Sequence, residues 1–243
     1  MRNIKITIEY DGFNYKGWQK QPTEISIQEI IEDAIFKITR DKVKLEASGR
    51  TDKGVHAFGQ TASFFTNSDI VEFKLMRGLN SLLPEDISIR KVEEVNNEFH
   101  ARYHAKGKSY KYIIYNSQVR SPIYRNNAYH VPYKLDMNKF RQNVNMLIGT
   151  HDFTSFTSIK EGTDNKIRTI YNIDIEQKDD IIELTFKGSG FLYNMIRIIV
   201  GTLVDVARGR IKSNIKEIID AKNRKRAGIT APSHALYLME VYY

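Results

Sequence analysis

Between two strand-like runs, Val43–Ser48 and Gln60–Thr66, the chain reads Gly49-Arg50-Thr51-Asp52-Lys53-Gly54-Val55-His56-Ala57. Two glycines frame a carboxylate and two cations flank it, in a protein whose formal charge is +8. An aspartate in such a loop can simply hydrogen-bond its own backbone in an Asx-turn. Its charge environment suggests more. Asp52 has no acidic neighbour within several residues, so a paired-acid mechanism of glycosidase type lacks a visible second member. Beside Arg50 and Lys53 the carboxylate should stay ionised, because opposite charges favour the anion. An ionised, isolated carboxylate is better suited to act as nucleophile or base than as acid.

The segments on either side of this loop set the fold. Residues 3–10 alternate with period two and read as a strand. Asp11-Gly12 turns the chain into a polar and aromatic loop, Phe13–Pro22. Ser26 followed by Glu29 is a capping box for a helix whose buried stripe is Ile27, Ile30, Ile31, Ala34, Ile35 and Ile38. The strand Val43–Ser48, the glycine-framed loop and the strand Gln60–Thr66 follow. A helix from Val71 to Leu83 stops at Pro84, and Ile87–Val95 is a fourth strand. The order is β-α-β-β-α-β.

The second half has the same order with one extra helix. Lys108–Asn116 is a tyrosine-rich strand, and Asp136 caps a helix that Gly149 ends. Ile167–Glu176 and Ile181–Lys187 form a hairpin. A long helix covers Phe191–Arg208, a short one Ser213–Lys222, and His234–Tyr243 is the last strand. No internal self-similarity supports the duplication, which rests on element order alone. Two tandem split βαβ units predict an α+β protein of two ferredoxin-like halves, residues 1–105 and 106–243. If their sheets join edge to edge, helices cover one face. The other is left open, with a cleft along it as the default ligand site.

At 243 residues the chain can bury a sizeable core, and 41% hydrophobic with 27% charged residues is an ordinary globular composition. The absence of cysteine removes disulfides, Cys-zinc sites and thiol catalysis. The N-terminus opens directly on strand-like alternation and lacks the apolar core of a signal peptide. The most apolar helical stretch, Phe191–Ala207, carries Asn194, Arg197 and Asp205 and is a poor membrane span. A cytoplasmic protein is expected. A pI near 9.4 favours polyanionic partners. The 14 Tyr, 12 Phe and 1 Trp suit unpaired bases, which stack on aromatic faces and leave their phosphates to Lys and Arg.

Several familiar chemistries are missing. Gly188-Ser189-Gly190 lacks the third glycine of a dinucleotide fingerprint, and there is neither a Walker A pattern nor a Gly-x-Ser-x-Gly elbow. His100 and His104 lie in a segment that reads as extended, with no Glu or third ligand placed to complete a zinc site. Tyr110 and Tyr112 share one strand face, as would Ile114. Such a stripe is either core, as expected of Tyr112, or a stacking platform for bases. Arg197, set among apolar residues, either snorkels to solvent or pairs with a buried acid, for which Asp52 is the obvious candidate. The run 208–226 holds Arg208, Arg210, Lys212, Lys216, Lys222, Arg224, Lys225 and Arg226 against Glu217 and Asp220. It is either a solvated face or a phosphate-contacting surface.

Five stretches together resemble the tRNA pseudouridine synthase A family. They are Tyr10-Asp11-Gly12 through Gly17-Trp18-Gln19, the Gly49–Ala57 loop, Phe99–Tyr112, Phe191–Gly201, and Arg226–Pro232 with Leu236-Tyr237-Leu238. The Arg-Thr-Asp-x-Gly-Val-His-Ala loop is the most specific of these. Asn194 stands where many relatives have His, and Ala235 where many have Gly. The resemblance implies the pseudouridine synthase fold with a central RNA-binding cleft. It also implies isomerisation of uridine to pseudouridine in the anticodon stem-loop of tRNA, at positions 38, 39 and 40. By that resemblance Asp52 is the nucleophile, Tyr110 stacks on the target uracil and assists proton removal from C5, and Arg197 pairs with Asp52. Arg50 holds the displaced nucleotide, and Lys53 and His56 complete the substrate contacts. The family works as a homodimer without metal or cofactor. Attack at C1′, attack at C6 and a glycal route all remain open. The alternatives are a non-catalytic, RRM-like RNA-binding protein, indifferent to Asp52, and a phosphoryl-transfer enzyme. The latter would need magnesium and further acidic ligands that the sequence does not offer.

Overall fold

The computed structural model describes residues 1–21, 24–158 and 165–243. Pro22, the end of the expected Phe13–Pro22 loop, lies outside them. The protein is mixed α+β, and its chain divides into two compact units, Met1–Lys106 with Tyr237–Tyr243, and Gly107–Leu236.

In the first unit, β1 (Arg2–Tyr10) pairs antiparallel with both β3 (His56–Thr66) and β4 (Ile87–Val95). The alternation of β1 sends Ile4, Ile6 and Ile8 inward, each fully buried. Two helices, α1 (Ile27–Thr39) and α2 (Glu72–Leu82), add Ile27, Ile31, Ile35, Leu75 and Leu79 to this core. The Ser26 hydroxyl accepts from the Glu29 N–H, as the capping box predicts. The expected strand Val43–Ser48 shrinks to β2 (Glu46–Ala47), paired with β3. The reason is competition from α1. The Leu45 N–H donates to the Glu32 carboxylate at 2.9 Å, and its carbonyl accepts from the Gln28 amide at 3.4 Å, so neither serves a ladder. The final strand, β10 (Leu236–Tyr242), runs parallel to β3 with Tyr237 opposite His56 and Leu238 opposite Ala57. Its residues from Tyr237 on thus group with the first unit, although they come last in the stretch expected as the second half.

In the second unit, β5 (Gly107–Tyr115) pairs antiparallel with β9 (Ile181–Gly188), β9 with β8 (Ile167–Lys178), and β8 with β7 (Gly149–Asp152). A two-residue strand, β6 (Tyr129–His130), lies parallel to β5. Neither β6 nor β7 is long enough to leave a period in the sequence. Helix α3 (Met137–Asn145) is capped by Asp136, whose carboxylate accepts from the Lys139 N–H at 3.0 Å. It ends at Asn145. Gly149, expected to terminate it, instead opens β7 with φ of +116°.

Helix α4 (Met195–Ala207) is the core of this unit, and every one of its residues except Arg197 is buried. It begins four residues later than expected, because Asn194 sits in the left-handed region at φ +60°. Asparagine tolerates that conformation better than most residues. Helix α5 (Ile215–Asp220) packs beside α3, the Ile215 N–H donating to the buried Asn143 side chain at 2.9 Å. No helix among the described residues is long and apolar enough to cross a membrane.

Candidate active site

The Asp52 loop is fixed by its neighbours in the first unit, chiefly through its backbone. The Asp52 carbonyl accepts from the Val55 N–H at 3.1 Å, closing a tight turn. Gly54 takes its third place at φ +78°, a conformation open to glycine at no steric cost. The Trp18 N–H donates to the Thr51 carbonyl at 3.1 Å, and the Thr51 and Tyr10 hydroxyls meet at 2.8 Å. The fully buried Gln60 side chain donates to the Gly49 carbonyl at 2.9 Å and accepts from the Ser48 hydroxyl at 2.8 Å. Burial pushes the Tyr10 phenol far above its ordinary range, against hydrogen bonds from Thr51 and Gln60 that lower it. This support therefore stays uncharged.

Two glycines from the Tyr10–Gln19 stretch let that segment lie against the loop. A Cβ on Gly12 would fall 1.9 Å from the Val55 carbonyl oxygen, and one on Gly17, at φ +97°, 2.7 Å from the Thr51 oxygen. The sequence marked this stretch as part of the family pattern but gave it no task. Its task is to brace the loop.

The side chains of the loop are divided by exposure. Arg50 and Lys53 are exposed and Asp52 is partly so. His56 is only 3% exposed, its ring stacked on Tyr237 with centroids 4.7 Å apart. Its Nδ1 lies 3.2 Å from the Gly12 N–H and 2.9 Å from the Asp11 carboxylate. These contacts tie the loop to the Asp11-Gly12 turn.

In the second unit, Tyr110 and Tyr112 do share a face of β5, yet they part company. Tyr112 is fully buried, donating its hydroxyl to the Pro232 carbonyl at 2.8 Å. Burial raises its phenol well above the usual range, with the Arg197 charge pulling the other way. Tyr110 is partly exposed and meets Phe191 edge-on at 5.4 Å. Arg197 leaves the first turn of α4, its Nε donating to the Ala231 carbonyl at 2.8 Å and a terminal nitrogen to the Asn194 amide oxygen at 2.7 Å. Asn194 also donates to the Ser158 hydroxyl at 3.1 Å. Asn194 thus places an acceptor beside the guanidinium.

The Ala227–Pro232 segment lies directly on α4. A Cβ on Gly201 would fall 2.1 Å from the Ile229 carbonyl oxygen, and the Gly228 N–H donates to the Thr202 hydroxyl at 2.9 Å. Much of the basic run around it is spent internally. Arg224 donates to the Gly228 carbonyl at 2.8 Å, Lys222 pairs with Asp152 at 3.0 Å, and Arg208 lies 3.6 Å over the Tyr133 ring. Arg210 reaches Asp205 at 3.7 Å. The sequence presented these cations as one surface, and a charge count has no means of separating braces from free ends. His100 and His104 form a turn, not the extended segment expected, the His100 N–H donating to His104 Nδ1 at 2.9 Å.

The chain matches the family model described as tRNA pseudouridine synthase over residues 6–104 and 144–243. It belongs to that family. It is 50% identical over 244 aligned positions to the tRNA pseudouridine synthase A of Acetivibrio thermocellus, with all of both chains covered. The protein of that name from Caldicellulosiruptor saccharolyticus matches at the same identity and coverage. That of Exiguobacterium sibiricum is 45% identical, over all of this chain and 97% of its own. Among solved structures, the crystal structure of a Cbf5-Nop10-Gar1 complex aligns at 13% identity and a TM-score of 0.41, over 96% of this chain and 57% of that one. The first two of these relatives are matched end to end, so all the segments described above lie within the aligned sequence.

Proposed function

We propose that this chain isomerises uridine to pseudouridine in the anticodon stem-loop of tRNA, at positions 38, 39 and 40, with Asp52 as nucleophile. Full-length identity of about half to proteins named tRNA pseudouridine synthase A supports the isomerase activity and the tRNA substrate. The observation that carries the residue assignment is the Arg50-Thr51-Asp52 loop. Its backbone is held by Trp18, Gln60 and two close-packed glycines, while the Asp52 side chain stays partly exposed. A reacting group needs a frame that does not move with it.

The reaction breaks the N1–C1′ bond, turns the uracil and joins it again through C5. The C5 proton leaves and N1 gains one, so atoms and electrons balance without a redox cofactor. The base must leave the helical stack, at a cost of about a few kcal/mol. Stacking on a partly exposed ring such as Tyr110 returns about 1–3 kcal/mol. The Tyr110 hydroxyl is the proposed acceptor for the C5 proton. Arg197, already oriented by Ala231 and Asn194, is the proposed partner of the Asp52 carboxylate. Arg50 and Lys53 take the displaced nucleotide and its phosphates, and His56, which also holds the loop, completes the substrate contacts. In the first unit, the strand order β4-β1-β3-β2 supports the ferredoxin-like reading. A homodimer working in the cytoplasm, with its RNA in a central cleft, completes the proposal.

Asp52→Asn tests it through tritium release from tRNA carrying C5-labelled uridine. Turnover should vanish while unmodified tRNA binds as tightly as to the wild type. Residual turnover in that variant would remove Asp52 from the nucleophile's place. Tight, salt-dependent tRNA binding by a wild type that releases no tritium would make this a binding protein instead.

A further inference from the structure

A cavity of about 480 Å³ lies in the second unit, among Tyr115, Arg120, Tyr124, Arg125, Tyr129 and His130. None of the residues assigned to catalysis lines it, and its volume falls within the roughly 300–1,000 Å³ of small-molecule sites. The segment joining β5 to β6 builds the wall. Tyr124 stacks on Tyr115 with centroids 5.4 Å apart at 29°, and Tyr115 meets His130 at 5.7 Å. The Asn127 and Ala128 N–H groups both donate to the Tyr124 carbonyl, at 3.1 and 3.0 Å. Arg125 donates to the Pro122 carbonyl at 2.7 Å, and the Asn116 amide to the Val131 and Tyr133 carbonyls, each at 2.8 Å. His130 Nε2 faces the Ser117 carbonyl at 2.8 Å and His234 Nε2 the Ala128 carbonyl at 3.2 Å, so each ring donates there. The aromatic faces are therefore set in place by a hydrogen-bonded frame.

The charge around these rings is polarised. Two arginines and no carboxylate line the cavity. A second recess, which shares Tyr115 and Tyr124 with the first, has Glu176, Asp179, Asp180 and Glu183 on its walls, and one cation, Lys178. A ligand that stacks on the tyrosines and carries an anion at one end is thus drawn to the arginine side and repelled from the other. Stacking alone would suit any flat apolar group, and arginine alone any anion. The combination selects a nucleotide.

We propose that this cavity is a second nucleotide site, in which a single unstacked nucleotide lays its base on Tyr124 and its phosphate against Arg120 and Arg125. The nucleotide is either free or an extruded residue of bound RNA. The second source rests on the tRNA reading above, whereas the chemistry of the cavity does not.

The test measures UMP binding by calorimetry to the intact chain, with uridine and inorganic phosphate as controls, and tRNA affinity alongside. The variants are Arg120→Gln with Arg125→Gln, and Tyr124→Ala, all at exposed side chains. UMP should bind more tightly than either control, and both variants should weaken it about tenfold or more. Tritium release from tRNA reports separately whether the chain is a synthase, so a failure of that reading leaves the UMP result standing. A free nucleotide is the source if tRNA affinity stays at the wild-type value in both variants, and a nucleotide of the RNA if it falls in both. Three results overturn the proposal. The first is UMP binding no tighter than phosphate. The second is tRNA affinity that drops with the arginines but not with Tyr124→Ala, which is contact with the backbone alone. The third is loss of a dimer in the arginine variant with UMP binding unchanged, which makes the cavity a contact between copies.

Discussion

The Asp52 loop of the first unit and the Arg197 turn of the second each hold one of the two charged side chains proposed to pair, and they hold it by different means. Asp52 sits on irregular backbone pinned by hydrogen bonds from Trp18 and Gln60 and by two glycines that let another segment approach. Arg197 sits on a helix whose other residues are all buried, so the core fixes its origin and only its tip needs polar partners. A loop frame is as rigid as its local contacts, whereas a helix frame borrows the rigidity of the whole unit. Damage to the first should appear chiefly as lost turnover, and damage to the second chiefly as lost stability.

The matched glycine variants give the largest test of that contrast. At Gly17, alanine meets both a φ of +97° and the Thr51 carbonyl oxygen at 2.7 Å. The Asp52 loop has to yield, and a shift of about 1 Å near a reacting group can cost about a hundredfold in turnover. Gly17→Ala is therefore expected to lose about a hundredfold in tritium release, with a stability loss of about 1–2 kcal/mol from the left-handed backbone. At Gly201, helix propensity favours alanine by about 1 kcal/mol, but overpacking costs about 1–3 kcal/mol. Here the obstacle is a backbone oxygen 2.1 Å away. A net loss of about 2 kcal/mol is expected, or about 4–8 °C in melting temperature at this chain length. If Gly17→Ala melts far below Gly201→Ala, the loop is part of the core and the contrast fails.

Arg197→Lys sharpens the second half of the contrast. Lysine keeps the charge but cannot reproduce the fork that donates to Ala231 and Asn194 together. Turnover should fall about tenfold, the worth of one oriented charge-assisted bond, while tRNA affinity holds. Equal turnover in the lysine variant would show that charge alone is needed and that Asn194 plays no part in aiming it.

Much of this was legible in the sequence, and unevenly. The strand Ile87–Val95 and the Ser26 and Asp136 caps follow from period and spacing, because those signals are local. The specific loop around Asp52 stood out for the same reason. Its bracing by Gly12 and Gly17 was invisible, since a close approach between segments some forty residues apart leaves no periodic trace. The shortening of the strand at Val43 had a similar origin, in Glu32 and Gln28 side chains competing for the Leu45 backbone. So did the placement of β10, whose alternation marks a strand but not its partner.

The basic run shows the same limit, and it can be tested. Arg224 and Lys225 are adjacent in sequence, but the first donates to the Gly228 carbonyl and the Thr230 hydroxyl and is partly desolvated, which lowers its pKa. Lys225 is exposed. Arg224→Ala should cost about 1.5–3 kcal/mol, read by chemical denaturation, and Lys225→Ala less than about 0.5 kcal/mol. In tRNA binding the order should reverse, with the lysine variant weakening affinity and flattening its salt dependence. Equal stability losses would mean that the Arg224 bonds do not brace the segment against α4.

The smallest expected effect separates the two tyrosines of β5. Tyr112→Phe removes one hydroxyl of a buried side chain and leaves the part-buried Pro232 carbonyl without that donor. That loss is worth about 1 kcal/mol, or about 2–4 °C. Because Pro232 adjoins Ala231, which holds the Arg197 guanidinium, any slackening of the segment would also reach turnover. The helix frame predicts that it does not, since Gly201 and Gly228 already lock the segment to α4. Tyr112→Phe should therefore melt earlier and turn over at the wild-type rate, while Tyr110→Phe loses turnover through the missing proton acceptor. A Tyr112→Phe variant that melts normally but turns over slowly would reverse that order. It would mean that the Pro232 bond positions Arg197, and that the second unit relies on local contacts as much as the first.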